Sequence, residues 1–200
     1  MTDDISVNVT TEQPITVSLS SAAVANVRVG GQPFHFQDVR AASVDYVHVG
    51  IVGTSALQVI TVGITNPDVA RNVSITVTNI DTPSGIVVIA GINAKGVATT
   101  ESKTIIPGTT VYGNVAWATI SSITIPAGVG VLDTVKVGIS DKLGLGVTIG
   151  LATNVIKMKV NNEDKSSEIA GNVDLTYDTV NCAVIDAHAD ITIWTKERYV

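Results

Sequence analysis

The chain has 200 residues, of which 45% are hydrophobic and only 15% are charged, and its formal net charge is −6. This length is enough for one large β-domain or two small ones with a buried core. Nucleic-acid binding is not expected, because it requires a basic surface and the 12 basic residues are scattered through an acidic chain.

The N-terminal part of the chain carries two runs in which apolar and polar side chains alternate. The runs cover residues 5–10 and 15–19 and are separated by a Glu-Gln-Pro break. A period of two residues is typical of strands with one buried face. A Gly-Gly-Gln-Pro break follows at residues 30–33. We expect residues 1–37 to form a separate hairpin or an extended arm that pairs with a neighbouring subunit.

Residues 38–200 repeat the same period and are predicted to form one continuous domain. Alternating runs rich in Val, Ile and Thr occupy residues 73–78, 123–125, 135–137, 173–177 and 191–194. Branched side chains of this kind favour a pleated sheet. Turn signals recur at intervals of about ten residues, the spacing of a sandwich or barrel. The sequence therefore predicts an all-β fold, an antiparallel β-sandwich of immunoglobulin-like or jelly-roll-like type with an extended N-terminal arm or hairpin.

Local signals add finer predictions. The Asn-Ala-Lys-Gly stretch at residues 93–96 predicts a turn that ends in a left-handed glycine. Residues 161–165 are the most polar stretch of the chain and predict an exposed loop. Short helical turns are an alternative only at residues 20–26 and 143–151, since no longer window has a helical period.

One grouping has the residue types of a metal site, namely Asp186, His188 and Asp190 in the stretch Asp-Ala-His-Ala-Asp. Alternate residues of a strand face the same side, so these three would present oxygen, nitrogen and oxygen ligands together. Such neighbours lie about 7 Å apart, which is wide for one small ion. We therefore expect the three residues to form the solvent face of a strand.

Other candidate sites have weaker patterns. Asp133, Asp141 and Asp164 are predicted in loops without the spacing of a calcium site, so they are expected to be ordinary turn residues. Ser140, in a Ser-Asp-Lys triplet, has no recognisable base or oxyanion partner. The glycines within residues 144–150 follow no βαβ pattern, so they do not indicate dinucleotide binding. We predict no catalytic, cofactor-binding or metal residues, no cofactor and no enzymatic activity.

Aromatic residues are few, and sugar-binding surfaces usually depend on them. Trp117 lies in an apolar run and is predicted to be in the core. Trp194 and Tyr199, near the end of the chain, are candidate surface contacts. They leave a carbohydrate-binding module as an alternative function, in which Trp194→Ala or Tyr199→Ala would weaken glycan binding.

The low charge content favours a protein that assembles with others. Globular chains carry about a quarter charged residues, so this chain has more neutral or apolar surface to cover. No run of 18 apolar residues is free of breaks, and no membrane association is expected. The start, Met-Thr-Asp-Asp, lacks the features of a secretory signal. Cys182 is the single cysteine, so neither an internal disulfide nor a cysteine-based metal site is predicted, and synthesis in a cytoplasm is expected.

Several stretches resemble a recurrent segment of virion structural proteins of tailed bacteriophages. They are residues 64–75, residues 91–96 with the Thr-rich run that contains Glu101, residues 120–126 and residues 137–145. In order, they cover about residues 60–145 of the 200. The resemblance implies a β-sandwich component of the capsid shell, neck or tail, and it carries no catalytic residues.

On this resemblance we expect a capsid decoration, or cement, protein that binds the outer surface of the major capsid lattice and stabilises capsomer contacts. The expected partners are the major capsid protein or other virion proteins, and further copies of the chain, with a trimer favoured. A neck, tail or fibre component is the alternative. Neither nucleic acid nor membrane is an expected partner, and the expected location is the virion, assembled in the host cytoplasm.

Overall fold

The computed structural model describes residues 32–78, 85–106, 108–127, 134–169, 172–182, 185–186 and 188–196. The alternating runs at residues 5–10 and 15–19 and the alternative helical turn at residues 20–26 lie outside these ranges. The N-terminal arm or hairpin therefore stays a prediction, apart from its last residues, 32–37, which belong to a strand.

The described chain is nearly all β and its strand pairs are antiparallel, which confirms the predicted fold class. Fourteen strands lie within the described ranges. They are β1 (Gln32–Val39), β2 (Ser43–Val52), β3 (Gln58–Ile60), β4 (Arg71–Val77), β5 (Gly85–Asn93), β6 (Ala98–Ile105), β7 (Thr110–Tyr112), β8 (Trp117–Ile125), β9 (Thr134–Gly144), β10 (Val155–Val160), β11 (Glu163–Asp164), β12 (Val173–Asp174), β13 (Thr179–Asn181) and β14 (Ala189–Thr195). Two single turns of 3-10 helix cover Ala152–Asn154 and Ser166–Glu168.

The larger sheet has ten strands and curls into a half-barrel. Its main path is β12-β13-β9-β4-β8-β5-β6, with β2 paired to β9, β3 to β8 and β7 to β4. Branched apolar side chains on the inner faces of these strands form the first core cluster, which includes Val73, Ile75, Ile89, Trp117, Ile123, Val135 and Val137. The two-residue period thus places one row of Val and Ile inside the curl.

The smaller sheet has the order β1-β14-β10-β11. β1 pairs with β14 from Gln32↔Thr195 to Val39↔Ala189, so it crosses the boundary predicted between residues 37 and 38. A second core cluster lies against this sheet and includes Leu143, Leu145, Ile149, Met158, Ile191 and Ile193. The first and the last described strands are therefore neighbours in the same sheet.

The structure confirms some of the predicted turns and loops and contradicts others. Residues 93–96 form the expected turn, and Gly96 has a left-handed φ of 76°. Residues 161–165 are largely exposed as expected, but Glu163–Asp164 form the short strand β11. The alternative helical turn at residues 143–151 is wrong, because β9 continues to Gly144 and an irregular loop follows. The strand predicted at residues 173–177 ends at Asp174, whose carboxylate accepts backbone N–H groups and closes a turn.

Asn93 holds the turn that joins β5 to β6. Its Oδ1 accepts hydrogen bonds from the backbone N–H groups of Lys95 at 2.9 Å and Val97 at 3.0 Å. We expect Asn93→Ala to lower the free energy of unfolding by about 1 kcal/mol, because both donors lose their acceptor. Asn93→Asp keeps the acceptor oxygen and should cost less. Urea unfolding measures both variants, and equal midpoints for Asn93→Ala and the parent chain would contradict this role.

Candidate assembly surface

Asp186, His188 and Asp190 do not line one face of a strand, which corrects the predicted geometry. β14 begins only at Ala189, and His188 has a left-handed φ of 65°. The His188 ring hydrogen-bonds to Asp38 instead. The three side chains are exposed as expected, although they do not form one face of a strand. Within the described ranges, no group of three or more His, Cys, Asp or Glu side chains could hold a metal ion.

The three aspartates considered for calcium have unrelated environments. Asp133 lies outside the described residues. Asp164 lies in the short strand β11 and not in the predicted loop; it accepts hydrogen bonds from the hydroxyl and the backbone N–H of Ser166, and these bonds lower its pKa. Asp141 does not lie in the predicted loop but within β9. Burial raises the pKa of Asp141, and the nearby Arg71 guanidinium opposes that rise.

The Ser140-Asp141-Lys142 triplet is part of a structural contact. Ser140 is buried, and its carbonyl oxygen accepts a hydrogen bond of 2.5 Å from Arg71 Nε. Lys142 Nζ contacts Asn114 Oδ1 at 3.1 Å and Asp174 Oδ2 at 3.4 Å. The triplet therefore joins neighbouring strands, and its side chains face different partners.

Arg71, which sequence reasoning did not single out, is fully buried between the two core clusters. In the sheet it lies opposite Leu143 on one side and Trp117 on the other. Its Nη1 donates to the carbonyl oxygen of Arg40 at 2.7 Å and to Asp68 Oδ1 at 3.3 Å. Together with its bond to Ser140 and its proximity to Asp141, these contacts define the junction of the two sheets. The one sequence signal was a cation two residues before an alternating run.

Two buried carboxylates, Asp178 and Glu101, form ion pairs with less buried lysines. Lys95 forms an ion pair with Asp178, whose second oxygen accepts the backbone N–H of Ile149 at 2.6 Å. Glu101 is buried on β6; its Oε1 accepts the backbone N–H of Asn114 at 2.6 Å and lies 3.3 Å from Lys103 Nζ. These contacts connect loops to strands, so their role is structural.

Large apolar side chains crowd one exposed region of the large sheet. The region comprises β2, β3 and the residues next to β3, and we call it the apolar patch. Its members are between 46 and 77% exposed: Val44, Val49, Val52, Leu57, Val59 and Val62. Single exposed apolar residues are normal, but a cluster on a chain so poor in charge indicates a contact surface.

Contacts between β2 and the segment after it make the apolar patch continuous. Gln58 Nε2 donates to the carbonyl oxygen of Val52 at 3.0 Å, and Thr65 N–H donates to Val47 at 2.9 Å. Gly63 lies beside the His48 ring. Residues 57–65 therefore run next to β2, which brings the two parts of the apolar patch close together.

The backbone of β2 adds a second feature to the apolar patch. β9 is the one strand that pairs with β2 in the described part of the chain. The register of this pair shifts between Ser43 and His48 and again between His48 and Ile51. The edge of β2 that faces away from β9 pairs with no described strand, but residues 57–65 flank it through the bonds of Thr65 to Val47 and of Gln58 to Val52.

The aromatic candidates differ in position. Trp117 is fully buried in the first core cluster, as predicted. Trp194 is half-buried, and Lys157 Nζ lies 5.7 Å from its ring centroid. Tyr199 lies outside the described residues. Lys157 therefore lies near one face of the Trp194 ring.

No helix in the described ranges has the length and apolar character needed to cross a membrane. Comparison with protein-family models, with curated proteins and with solved structures finds no match for this chain.

Proposed function

We propose that this chain is a non-enzymatic structural subunit of a larger assembly, and specifically a capsid decoration protein on the outer surface of a virion. The observation that carries the proposal is the apolar patch on β2, β3 and the residues beside β3. An isolated subunit would leave these side chains in water. Burial against a neighbour is favourable by roughly 25 cal/mol per Å² of apolar area.

The buried polar groups favour a structural role over a catalytic one. Arg71, Asp178 and Glu101 each have partners that hold strands or loops together. A catalytic site instead needs a nucleophile, a base and a stabilising donor directed at one point. The residues considered for such chemistry, Ser140 and His188, lie on different strands or loops with unrelated partners.

The virion placement rests on the sequence resemblance over about residues 60–145. These residues supply β4, β5, β6, β7, β8 and β9, the strands that carry most of the first core cluster. The resembling part is therefore the body of the large sheet, whereas most of the apolar patch precedes it. A large sheet that resembles other virion proteins, combined with an apolar patch outside the resembling part, fits a family of subunits that bind different neighbours.

Two substitutions within the apolar patch test the assembly role. Val49 and Val62 are 75 and 77% exposed, so replacing both with Asp should leave the melting temperature unchanged. Because two carboxylates would then be buried at a contact, we expect self-association to weaken about 100-fold, or about 2.7 kcal/mol. Light scattering after size-exclusion chromatography measures the change, with the parent chain expected as a trimer.

Val97→Asp is the matched control, because Val97 is 55% exposed but lies in the turn between β5 and β6. A parent chain that remains a monomer and binds no particle would refute the proposal, as would a doubly substituted chain that assembles normally. The number of copies of this chain per particle then distinguishes a decoration protein from a neck or tail component. Copies spread over the whole shell fit a decoration protein, and a single ring at one vertex fits the neck or tail instead.

A further inference from the structure

We propose that the free edge of β6 binds the same edge of a second copy, so that two large sheets join as one antiparallel sheet across a two-fold axis at Ser102. This contact goes beyond the proposed function, because the residues of β6 lie outside the apolar patch. It gives the chain a second interaction surface, and the partner that fits this surface is another copy of the chain.

The backbone along one side of β6 has no strand beside it. β6 ends the main path of the ten-stranded sheet and pairs with β5 alone in the described ranges. Asn93 N–H donates to the Val97 carbonyl oxygen at 3.0 Å. Because hydrogen bonding alternates along an antiparallel pair, the backbone groups of Thr100, Ser102 and Thr104 point away from β5. No described residue hydrogen-bonds to these outward groups, so they are free to bind another strand.

The nearby strand β7 does not cover this edge. β7 pairs with β4, and its following residues reach β6 through the inner-facing side chain of Glu101, whose Oε1 accepts the backbone N–H of Asn114. A Cβ at Gly113 would lie 2.7 Å from Glu101 Oε2. Residues 113–114 therefore pack on the inner face of β6 and not in the plane of the sheet beyond its edge.

The charges on the inner face of β6 select a second copy as the partner. The Glu101 and Lys103 side chains are 7 and 21% exposed, and Lys103 Nζ lies 3.3 Å from Glu101 Oε1. Inward-pointing charges on an edge strand discourage pairing with an arbitrary strand, because that strand would bury them without a partner. With a two-fold axis at Ser102, Glu101 of each copy lies opposite Lys103 of the other. Moving the axis by one residue sets Glu101 opposite Glu101 or Lys103 opposite Lys103, and like charges directly opposite are destabilising.

Glu101 also has an unsatisfied acceptor in the single copy. Its Oε2 is buried and has no hydrogen-bond partner among the described residues. A buried acceptor without a donor is costly. Side chains directly opposite on paired strands have Cβ atoms about 5 Å apart, so the ammonium group of Lys103 of the second copy can reach this carboxylate. The pairing therefore supplies a donor that one copy lacks.

An edge contact of this size is weak between two isolated copies. β6 has eight residues, and one added strand buries less than the roughly 1,200 Å² at which stable interfaces begin. Copies held side by side in an assembly have a high effective concentration, so the same contact becomes effective there. Edge pairing therefore changes little in dilute solution and adds to the contacts of the apolar patch within an assembly.

Disulfide formation between full-length chains tests the axis directly. Ser102, Thr100 and Thr104 are exposed, so Cys at any of the three should leave the fold intact. Residues opposite in a hydrogen-bonded pair have Cα atoms about 5.5 Å apart, within disulfide range, whereas the two copies of Thr100, or of Thr104, would lie about 13 Å apart. Cys182 does not interfere, because burial raises its pKa to about 12 and keeps the thiol protonated.

Concentrated protein is oxidised with copper–phenanthroline and run on a non-reducing gel. We expect about five times more linked dimer from Ser102→Cys than from Thr100→Cys or Thr104→Cys alone, which are the matched controls. Thr100 of one copy lies opposite Thr104 of the other in the proposed register. An equimolar mixture of Thr100→Cys and Thr104→Cys, with tags of different size, should therefore give the mixed dimer at a yield close to that of Ser102→Cys.

The outcomes separate this inference from the proposed function. Equal yields from the three single variants would overturn the inference, as would a higher yield from Thr100→Cys or Thr104→Cys than from Ser102→Cys. In either case, parent chains that self-associate through the apolar patch leave the proposed function standing. A Ser102 cross-link in a chain whose self-association is unaffected by Val49→Asp and Val62→Asp would support edge pairing and remove the role of the apolar patch.

Discussion

Replacing Arg71 with Met is expected to destabilise the fold by about 3–5 kcal/mol at neutral pH, the usual cost of removing one partner from a buried ion pair. The guanidinium is fully buried and donates to the carbonyl oxygens of Arg40 and Ser140. Met fills a similar volume without a donor. The two carbonyl groups would lose their partner, and the carboxylate of Asp141 would lose its nearest cation, 3.6 Å away.

The cost of Arg71→Met should depend on pH, because Asp141 titrates. Burial already raises the pKa of Asp141 above its usual 3.8, and Arg71 limits that rise. An acid whose pKa is raised on folding contributes stability below its unfolded pKa and loses that contribution as the pH increases through its folded value. Without Arg71 the folded pKa is higher still, so the loss extends further towards neutral pH. We therefore expect a smaller destabilisation at pH 4 than at pH 7.

The double variant Arg71→Met, Asp141→Asn is the control for this explanation. It lacks the Asp141 carboxylate, so its stability relative to the parent chain should vary less between pH 4 and pH 7 than that of Arg71→Met. Urea unfolding at the two pH values gives both differences. If Arg71→Met unfolds at the same midpoint as the parent chain at pH 7, then Arg71 does not join the two sheets in solution.

The two-residue period was a reliable guide to the strands of the large sheet. The runs predicted at residues 73–78, 123–125 and 135–137 lie within or almost within β4, β8 and β9. The period is informative there because one face of each strand packs on the first core cluster. The same rule predicted too long a strand after Val173, where Asp174 hydrogen-bonds to the following backbone and ends it.

The apolar patch could not be predicted from the same pattern. In β2, Val47 and Ile51 are buried while Val44, Val49 and Val52 are exposed, a spacing without any fixed period. The cause is the irregular register between β2 and β9, which changes the face of the residues that follow each shift. A bulge is set by the partner strand, about 90 residues away in the chain, so the local sequence of β2 contains no signal for it.

The position of Arg71 and the closure of the small sheet also depend on distant residues. β1 pairs with β14 across almost the whole described chain. The local alternation predicted β14 but gave no signal for its partner, and β1 was not predicted as a strand. A cation at the start of a strand is usually solvated, and only the convergence of Arg40, Asp68 and Ser140 explains why Arg71 is buried.

Gly138 explains how β2 can follow its irregular path, and Gly138→Ala is expected to lower the free energy of unfolding by about 3 kcal/mol. A Cβ at this position would overlap the carbonyl oxygen of Ser43 and lie 2.5 Å from the carbonyl carbon of Val44. These are backbone atoms, so relief requires β2 to move away from β9, and overpacking of this kind commonly costs about 1–3 kcal/mol.

The matched control is Gly150→Ala, where the nearest heavy atom to a new Cβ is Asn154 Nδ2 at 3.8 Å and the change should cost less than about 0.5 kcal/mol. Urea unfolding compares the two variants, and faster amide exchange in β2 would locate the effect. Since β2 carries half of the apolar patch, Gly138→Ala should also weaken self-association under conditions where the chain remains folded. If Gly138→Ala matches Gly150→Ala in both stability and assembly, β2 does not cross Gly138 as described, and the exposed positions of Val44, Val49 and Val52 lose their structural basis.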